Sequence, residues 1–137
     1  MERWIHRQQV RFNEVDAAGI VFYPRFFDYF HLAFEAFFGD CTGAPYHVWI
    51  RDRRIGWPTV HVETDFVAPL RYGEAFEVRL SFPKVGRSSF VTRYEVRRGE
   101  VLCATAAITA VTTDLDRMAS VEMPAVVREA LARFPGG

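Results

Sequence analysis

The chain has 137 residues, 50% of them hydrophobic and 25% charged, with 17 basic side chains against 17 acidic ones. This is the composition of one soluble globular domain over residues 1–137, large enough to bury a real core. No basic block stands out and no apolar run reaches membrane-spanning length, which argues against nucleic acid or a membrane as the main partner. Cys41 and Cys103, with no signal-peptide pattern in the opening residues, read as buried or half-buried thiols, and the expected location is the cytoplasm.

Residues 4–12 alternate, with Val10 and Phe12 on one side, and predict a first strand. Pro24 to Phe38 follows with Phe26, Phe27, Phe30, Ala33, Phe34, Phe37 and Phe38 at steps of three and four. That spacing predicts a helix with a wide apolar face, opened by Pro24 and stopped by Gly39. Residues 40–57 carry mixed signals, with one short helical piece expected near Tyr46 to Asp52. From Pro58 the period becomes two: Val60, Val62, Thr64 and Phe66, then Phe76, Val78, Leu80 and Phe82, then Phe90, Thr92, Tyr94 and Val96. Residues 101–113 are small or β-branched on both faces, as in a central strand whose alanines let a bulky helix sit close. A last helix begins near Pro124, puts Val127, Ala130, Leu131 and Phe134 on one face, and stops at Pro135-Gly136-Gly137. Strands segregated from one main helix read as α+β. The simplest packing curls one antiparallel sheet around the long helix, although the element order alone also allows other α+β sheets.

Asp16 is the candidate for chemistry. It is followed by Ala17, Ala18 and Gly19, small residues that let a backbone approach a ligand, and Gly19 can take a positive φ. The loop runs into a helix N-terminus, whose free N–H groups attract developing negative charge. A carboxylate beside such donors can serve acyl transfer, the N–H polarising a carbonyl while the carboxylate attacks it or activates water. The competing account is that Asp16 only caps a turn. Glu14 reads as a structural group bonding loop N–H groups, and Glu35, mid-helix, as a solvated or interface residue. His6, His31, His47 and His61 lack paired ligand spacing, so no metal site is expected.

The stretch Phe12-Asn13-Glu14-Val15-Asp16-Ala17-Ala18-Gly19-Ile20-Val21-Phe22-Tyr23-Pro24 resembles the signature of the 4-hydroxybenzoyl-CoA thioesterase family of hot-dog proteins. The resemblance implies a hot-dog fold: an antiparallel five-stranded sheet wrapped around one long central helix, with a short C-terminal helix. It implies hydrolysis of an acyl-CoA, with an aromatic acyl group favoured by the Ile-Val-Phe-Tyr-Pro ending, and no cofactor beyond the coenzyme A of the substrate. Asp16 takes the place of the catalytic nucleophile or general base. Tyr23 takes that of the residue whose backbone N–H polarises the thioester carbonyl. Tyr46 and the segment Trp57-Pro58-Thr59 match positions that line the site, and Arg87 falls in the turn where aryl-CoA members carry a basic cluster for the CoA phosphates. Here that turn reads Pro83-Lys84-Val85-Gly86-Arg87-Ser88-Ser89, with fewer cations, leaving Arg25, Arg71 or Lys84 as alternatives. The resemblance further implies a homodimer or homotetramer, sheets joined edge to edge, with Tyr46, Trp57 and Thr59 facing the partner's Asp16. Two other functions fit the same fold: a non-catalytic acyl-CoA-binding protein, and a hydratase or dehydratase, whose sites pair a His with an acid.

Overall fold

The computed structural model describes residues 3–136. Strand β1 (Trp4–Gln9) leads through a 3₁₀ turn (Phe12–Glu14) and the Asp16 loop to helix α1 (Arg25–Cys41). A helical turn (Val48–Asp52) and strand β2 (Ile55–Gly56) follow, then β3 (Thr59–Phe66), β4 (Ala75–Val85), β5 (Ser89–Arg98) and β6 (Val101–Val111). The chain closes with β7 (Thr113–Asp114), β8 (Ala119–Ser120) and helix α2 (Ala125–Ala132). The main sheet is five-stranded and antiparallel, in the order β1-β4-β5-β6-β3. It curls around α1, so the hot-dog architecture implied by the resemblance is the one observed.

The phenylalanine spacing does what the periodicity predicts. Phe26, Tyr29, Phe30, Ala33, Phe34, Phe37 and Phe38 are all buried. Their rings meet the inward row of β4 and β5: Tyr29 on Phe76 at 4.7 Å between centroids, Phe37 on Phe82 at 4.8 Å, Phe30 on Tyr94 at 4.9 Å. Each fully buried ring of this size contributes about 1.5–3 kcal/mol over leaving it in water. The helix therefore leans toward the β4–β5 side of the sheet. The sequence predicts that the alanines of β6 let a bulky helix sit close, but at Ala110 the helix does not close on the strand. Ala110 and Ile108 instead line a cavity between α1 and the β6–β3 side.

Several boundaries differ from the sequence reading. Gly39 does not stop α1. It lies inside the helix, exposed, with open space where a Cβ would stand. The helix ends at Thr42, whose N–H and hydroxyl both donate to the Phe38 carbonyl, and Gly43 follows with φ +80°. A glycine is needed where the chain turns left-handed, not at the first glycine met. β1 stops at Gln9, and Phe12 is exposed on the 3₁₀ turn rather than inward with Val10. The run 101–113 breaks at Thr112, whose N–H donates to Ser88, and β7 instead joins a small three-stranded sheet, β2-β7-β8. The helical piece expected at Tyr46 to Asp52 is present. The C-terminal stop is seen through Gly136, while Gly137 lies outside the described residues.

The edge strand β3 is unusual: apart from half-buried Thr64 it is exposed on both faces, and Val60, Val62 and Phe66 stand in solvent. A long apolar edge of this kind invites pairing with another chain.

Gly39→Ala should raise stability by about 0.5–1 kcal/mol, because Ala is the better helix residue and nothing obstructs its methyl. Gly43→Ala should lower it by about 1–2 kcal/mol through left-handed strain. Urea unfolding of both variants checks this; the opposite ranking would place the helix stop at Gly39.

Candidate active site

The Asp16 loop is a tight hairpin. Val15 and Val21 form an antiparallel bridge. Inside it the Asp16 N–H donates to the Ile20 carbonyl and the Gly19 N–H to the Asp16 carbonyl, both at 2.9 Å. Gly19 has φ +82°, the conformation expected of it. The Ala18 N–H donates to Asp16 Oδ1 at 2.9 Å, so Asp16 does cap its own turn. That bond uses one carboxylate oxygen; Oδ2 has no partner among the described residues, and the side chain is exposed. The turn thus fixes the carboxylate's orientation without consuming it.

Two anchors hold the loop. The Val21 N–H donates to the Leu70 carbonyl at 2.8 Å, and Ile20 bridges Arg71. Glu14 ties the other side to the core: its Oε1 accepts from the Arg11 N–H at 2.8 Å and from the Tyr29 hydroxyl at 2.9 Å. Glu14 is structural, as read from the sequence. Burial and the Glu14 carboxylate together hold the Tyr29 phenol in its neutral form.

Tyr23 sits where the loop becomes α1. The N–H groups of Phe22, Arg25, Phe26 and Phe27 all find carbonyl acceptors, but that of Tyr23 has none among the described residues. It stands just ahead of Pro24, the N-cap of α1, as a free donor where the loop meets the helix. The Tyr23 ring is exposed and lies 5.9 Å from the Phe66 ring, at the C-terminal end of β3. Of the cations considered for phosphates, Arg25 is engaged by Asp28 (3.3 Å) and the Asn13 carbonyl (3.4 Å).

Tyr46, Trp57, Pro58 and Thr59 come together in one cavity of about 520 Å³ between α1, β3, β5 and β6. Trp57 is buried and bonds Thr112 Oγ1 through Nε1 at 3.0 Å, so it is a fixed wall. Tyr46 lies against Phe38 (5.4 Å) and His31 (5.7 Å), and burial with the nearby Glu35 carboxylate pushes its phenol up to about 12. Asp16, Gly19 and Tyr23 do not line this cavity. Tyr23 meets the C-terminal end of β3 at Phe66, whereas the cavity is lined by Thr59 and Val62 of that strand and reaches Phe27, one helix turn on from Tyr23. Arg87 stands apart, 80% exposed and 3.9 Å from Glu122, in the β4–β5 turn. Hydrogen bonds from Thr112 to Ser88 and from Val111 to Pro58 bring that turn to the same end of the sheet as the cavity.

The cavity also holds residues that the motif did not mark. Phe27, Phe30, Phe34 and Ile108 add apolar wall, and His31, Thr92 and Tyr94 add polar atoms. Thr92 and Tyr94 were detectable: they are the polar members of an otherwise apolar inward row, Phe90-x-Thr92-x-Tyr94-x-Val96. His31 pairs with Glu35, Nε2 to Oε2 at 3.1 Å, at the half-exposed rim. Among the described residues no three His, Cys, Asp or Glu side chains could jointly hold a metal ion, and no helix is long and apolar enough to cross a membrane.

Residues 10–131 match the thioesterase-like superfamily. A 1,4-dihydroxy-2-naphthoyl-CoA hydrolase of Nostoc punctiforme is 28% identical over 119 residues, covering 87% of this chain and 80% of that protein. Among solved structures, a gentisyl-coenzyme A thioesterase superposes with a TM-score of 0.83 at 28% identity, covering 91% of this chain and 99% of the other. A 4-hydroxybenzoyl-CoA thioesterase variant in complex with 4-hydroxybenzoyl-CoA gives 0.85 at 26% identity, covering 94% and 98%. The chain belongs to the thioesterase-like superfamily and is a thioester hydrolase of hot-dog fold.

Proposed function

We propose that this chain hydrolyses an aromatic acyl-CoA to the free acid and coenzyme A, with Asp16 and the Tyr23 N–H as the reacting groups and no cofactor. The observation that carries the reading is the unpaired Tyr23 N–H at the start of α1, on the same short loop as an Asp16 carboxylate with one oxygen free. The thioester carbonyl oxygen accepts from Tyr23 N–H, where the helix end favours the charge that builds on it. Asp16 then attacks the carbonyl carbon, expelling CoA thiolate and leaving a mixed anhydride that water cleaves. Alternatively it takes a proton from the water that attacks directly. Either route yields one acid and one thiol. The ring-walled cavity supports an aryl group, 4-hydroxybenzoyl among the candidates, and relatives act on aromatic CoA esters by name. Arg87 and Lys84, at the cavity end of the sheet, are placed to meet the CoA phosphates.

The site is completed by a second copy. Antiparallel pairing of β3 with its twofold mate brings the Phe66 end of one strand beside the Thr59 end of the other. The Asp16 loop of one protomer then faces Tyr46, Trp57 and Thr59 of its partner. The exposed apolar β3 edge supports this assembly, as a dimer or as half of a tetramer.

Thiol release from a panel of aryl- and alkyl-CoA esters tests the chemistry. Asp16→Asn should lose about 10²–10⁴-fold in turnover while still binding ester. Equal turnover by the two proteins would remove Asp16 from the mechanism. Hydration of an enoyl-CoA without thiol release would instead move the chemistry to the His31–Glu35 pair.

Mixing tests the shared site. Asp16→Asn and Thr59→Trp, each inactive alone, should recover about a quarter of wild-type activity when their subunits are exchanged, since half the dimers are mixed and each carries one intact site. No recovery in verified mixed dimers would place Asp16 and the cavity of one protomer in the same site.

A further inference from the structure

We propose that the β4–β5 turn is a phosphate receptor and that Arg128, on α2, is the positioning residue that makes it one. Arg128 ties down carbonyls of the turn, which leaves the Arg87 and Ser88 N–H groups, with the Arg87 guanidinium, to hold a phosphate of coenzyme A. This deepens the acyl-CoA reading above and rests on it.

Three successive carbonyls of the turn are taken. The Gly86 carbonyl accepts from Arg128 Nη2 at 2.9 Å, and the Arg87 carbonyl accepts from the same nitrogen at 3.0 Å. The Arg87 carbonyl accepts again from the Met123 N–H at 3.0 Å, and the Ser88 carbonyl from the Thr112 N–H at 2.7 Å. These donors come from the β6–β7 link, the stretch before α2 and α2 itself, all far along the chain. The turn does not need them to close, because its Gly86 N–H already donates to the Ser89 carbonyl at 2.8 Å.

The N–H side is the reverse. Among the described residues, neither the Arg87 N–H nor the Ser88 N–H reaches an acceptor. Two successive free N–H groups are positive dipole ends, and here the neighbouring carbonyls are spent elsewhere. Backbone of this polarity binds anions.

The side chains agree. Arg87 is 80% exposed and 3.9 Å from Glu122, a loose contact beside the 2.9 Å between Arg54 and Asp116 or the 3.1 Å between Arg97 and Glu95. Its guanidinium is available for a charge-assisted bond to phosphate. Lys84 stands at the end of β4 that leads into the turn. Arg128 adds positive charge close by without touching the ligand, since Nη2 is occupied by the two carbonyls. A turn with few cations is made into an anion site by its backbone. The bonds from Thr112 to Ser88 and from Val111 to Pro58 place it at the cavity end of the sheet.

The test compares an aryl-CoA ester with the matching aryl-pantetheine thioester, which lacks the phosphates. In the wild type, kcat/KM should favour the CoA ester by about tenfold or more. Arg128→Met keeps the stem and removes the donors. It should cut that preference by about tenfold, through KM rather than kcat, and so should Arg87→Met. Because both act through one site, the double variant should lose little more than either alone. An additive loss would put Arg128 on the phosphate itself and overturn its positioning role, as would an unchanged preference in a folded Arg128→Met protein. Amide NMR titration of the wild type with free CoA asks the same of the backbone without any substitution. The Arg87 and Ser88 signals should shift together, and shifts confined to other residues overturn the proposal. If CoA binds in this way and Arg128→Met weakens it while no ester is hydrolysed, the receptor assignment stands and the hydrolysis reading fails. If esters are hydrolysed with no preference for CoA over pantetheine, the hydrolysis reading stands and the receptor assignment fails.

Discussion

The structure depends on burying one face of α1. Seven residues of that face, five of them phenylalanine, are removed from water by the concave side of a single sheet. No short helix of this composition is stable by itself, so the sheet must curl far enough to cover it. That one requirement sets the position of the helix start, and with it the orphan Tyr23 N–H. It also sets the tilt. The large partners, Phe76, Phe82 and Tyr94, lie on β4 and β5, whereas β6 offers Ala104, Ala106 and Ala110. Rings pull the helix toward rings, and the cavity opens beside Ala110 and Ile108.

The loop before the helix is rigid for separate reasons. Glu14 spends its carboxylate on holding Arg11 and Tyr29, and Asp16 spends one oxygen on Ala18, so two adjacent acids have different duties. The burial of Tyr29 transmits the order of the core to the loop through one hydrogen bond. A carboxylate oriented by its own turn, with one oxygen free, is the arrangement on which the proposed chemistry rests.

Much of this was legible in the residues. The three-and-four spacing of the phenylalanines marks α1, and the period of two marks β3, β4 and β5. The contiguous Phe12 to Pro24 motif points to the superfamily. What escaped reading did so for identifiable reasons. Gly39 and Gly43 look alike in sequence, and only the turn geometry shows which one takes φ +80°. The break at Thr112 and the small β2-β7-β8 sheet depend on a hydrogen bond to Ser88 in a distant turn. The cavity is a difference in side-chain volume between strands adjacent in space, which no local pattern encodes.

The central claim is that an acyl-CoA carbonyl is held by the start of α1 beside Asp16. A crystal structure of Asp16→Asn with a bound aryl-CoA ester tests it most directly. The account predicts the thioester oxygen within hydrogen-bond distance of the Tyr23 nitrogen of one protomer, with the aryl ring inside the cavity of its partner. An ester bound with its carbonyl away from Tyr23, at the His31–Glu35 rim or on the outer face of the sheet, would contradict it.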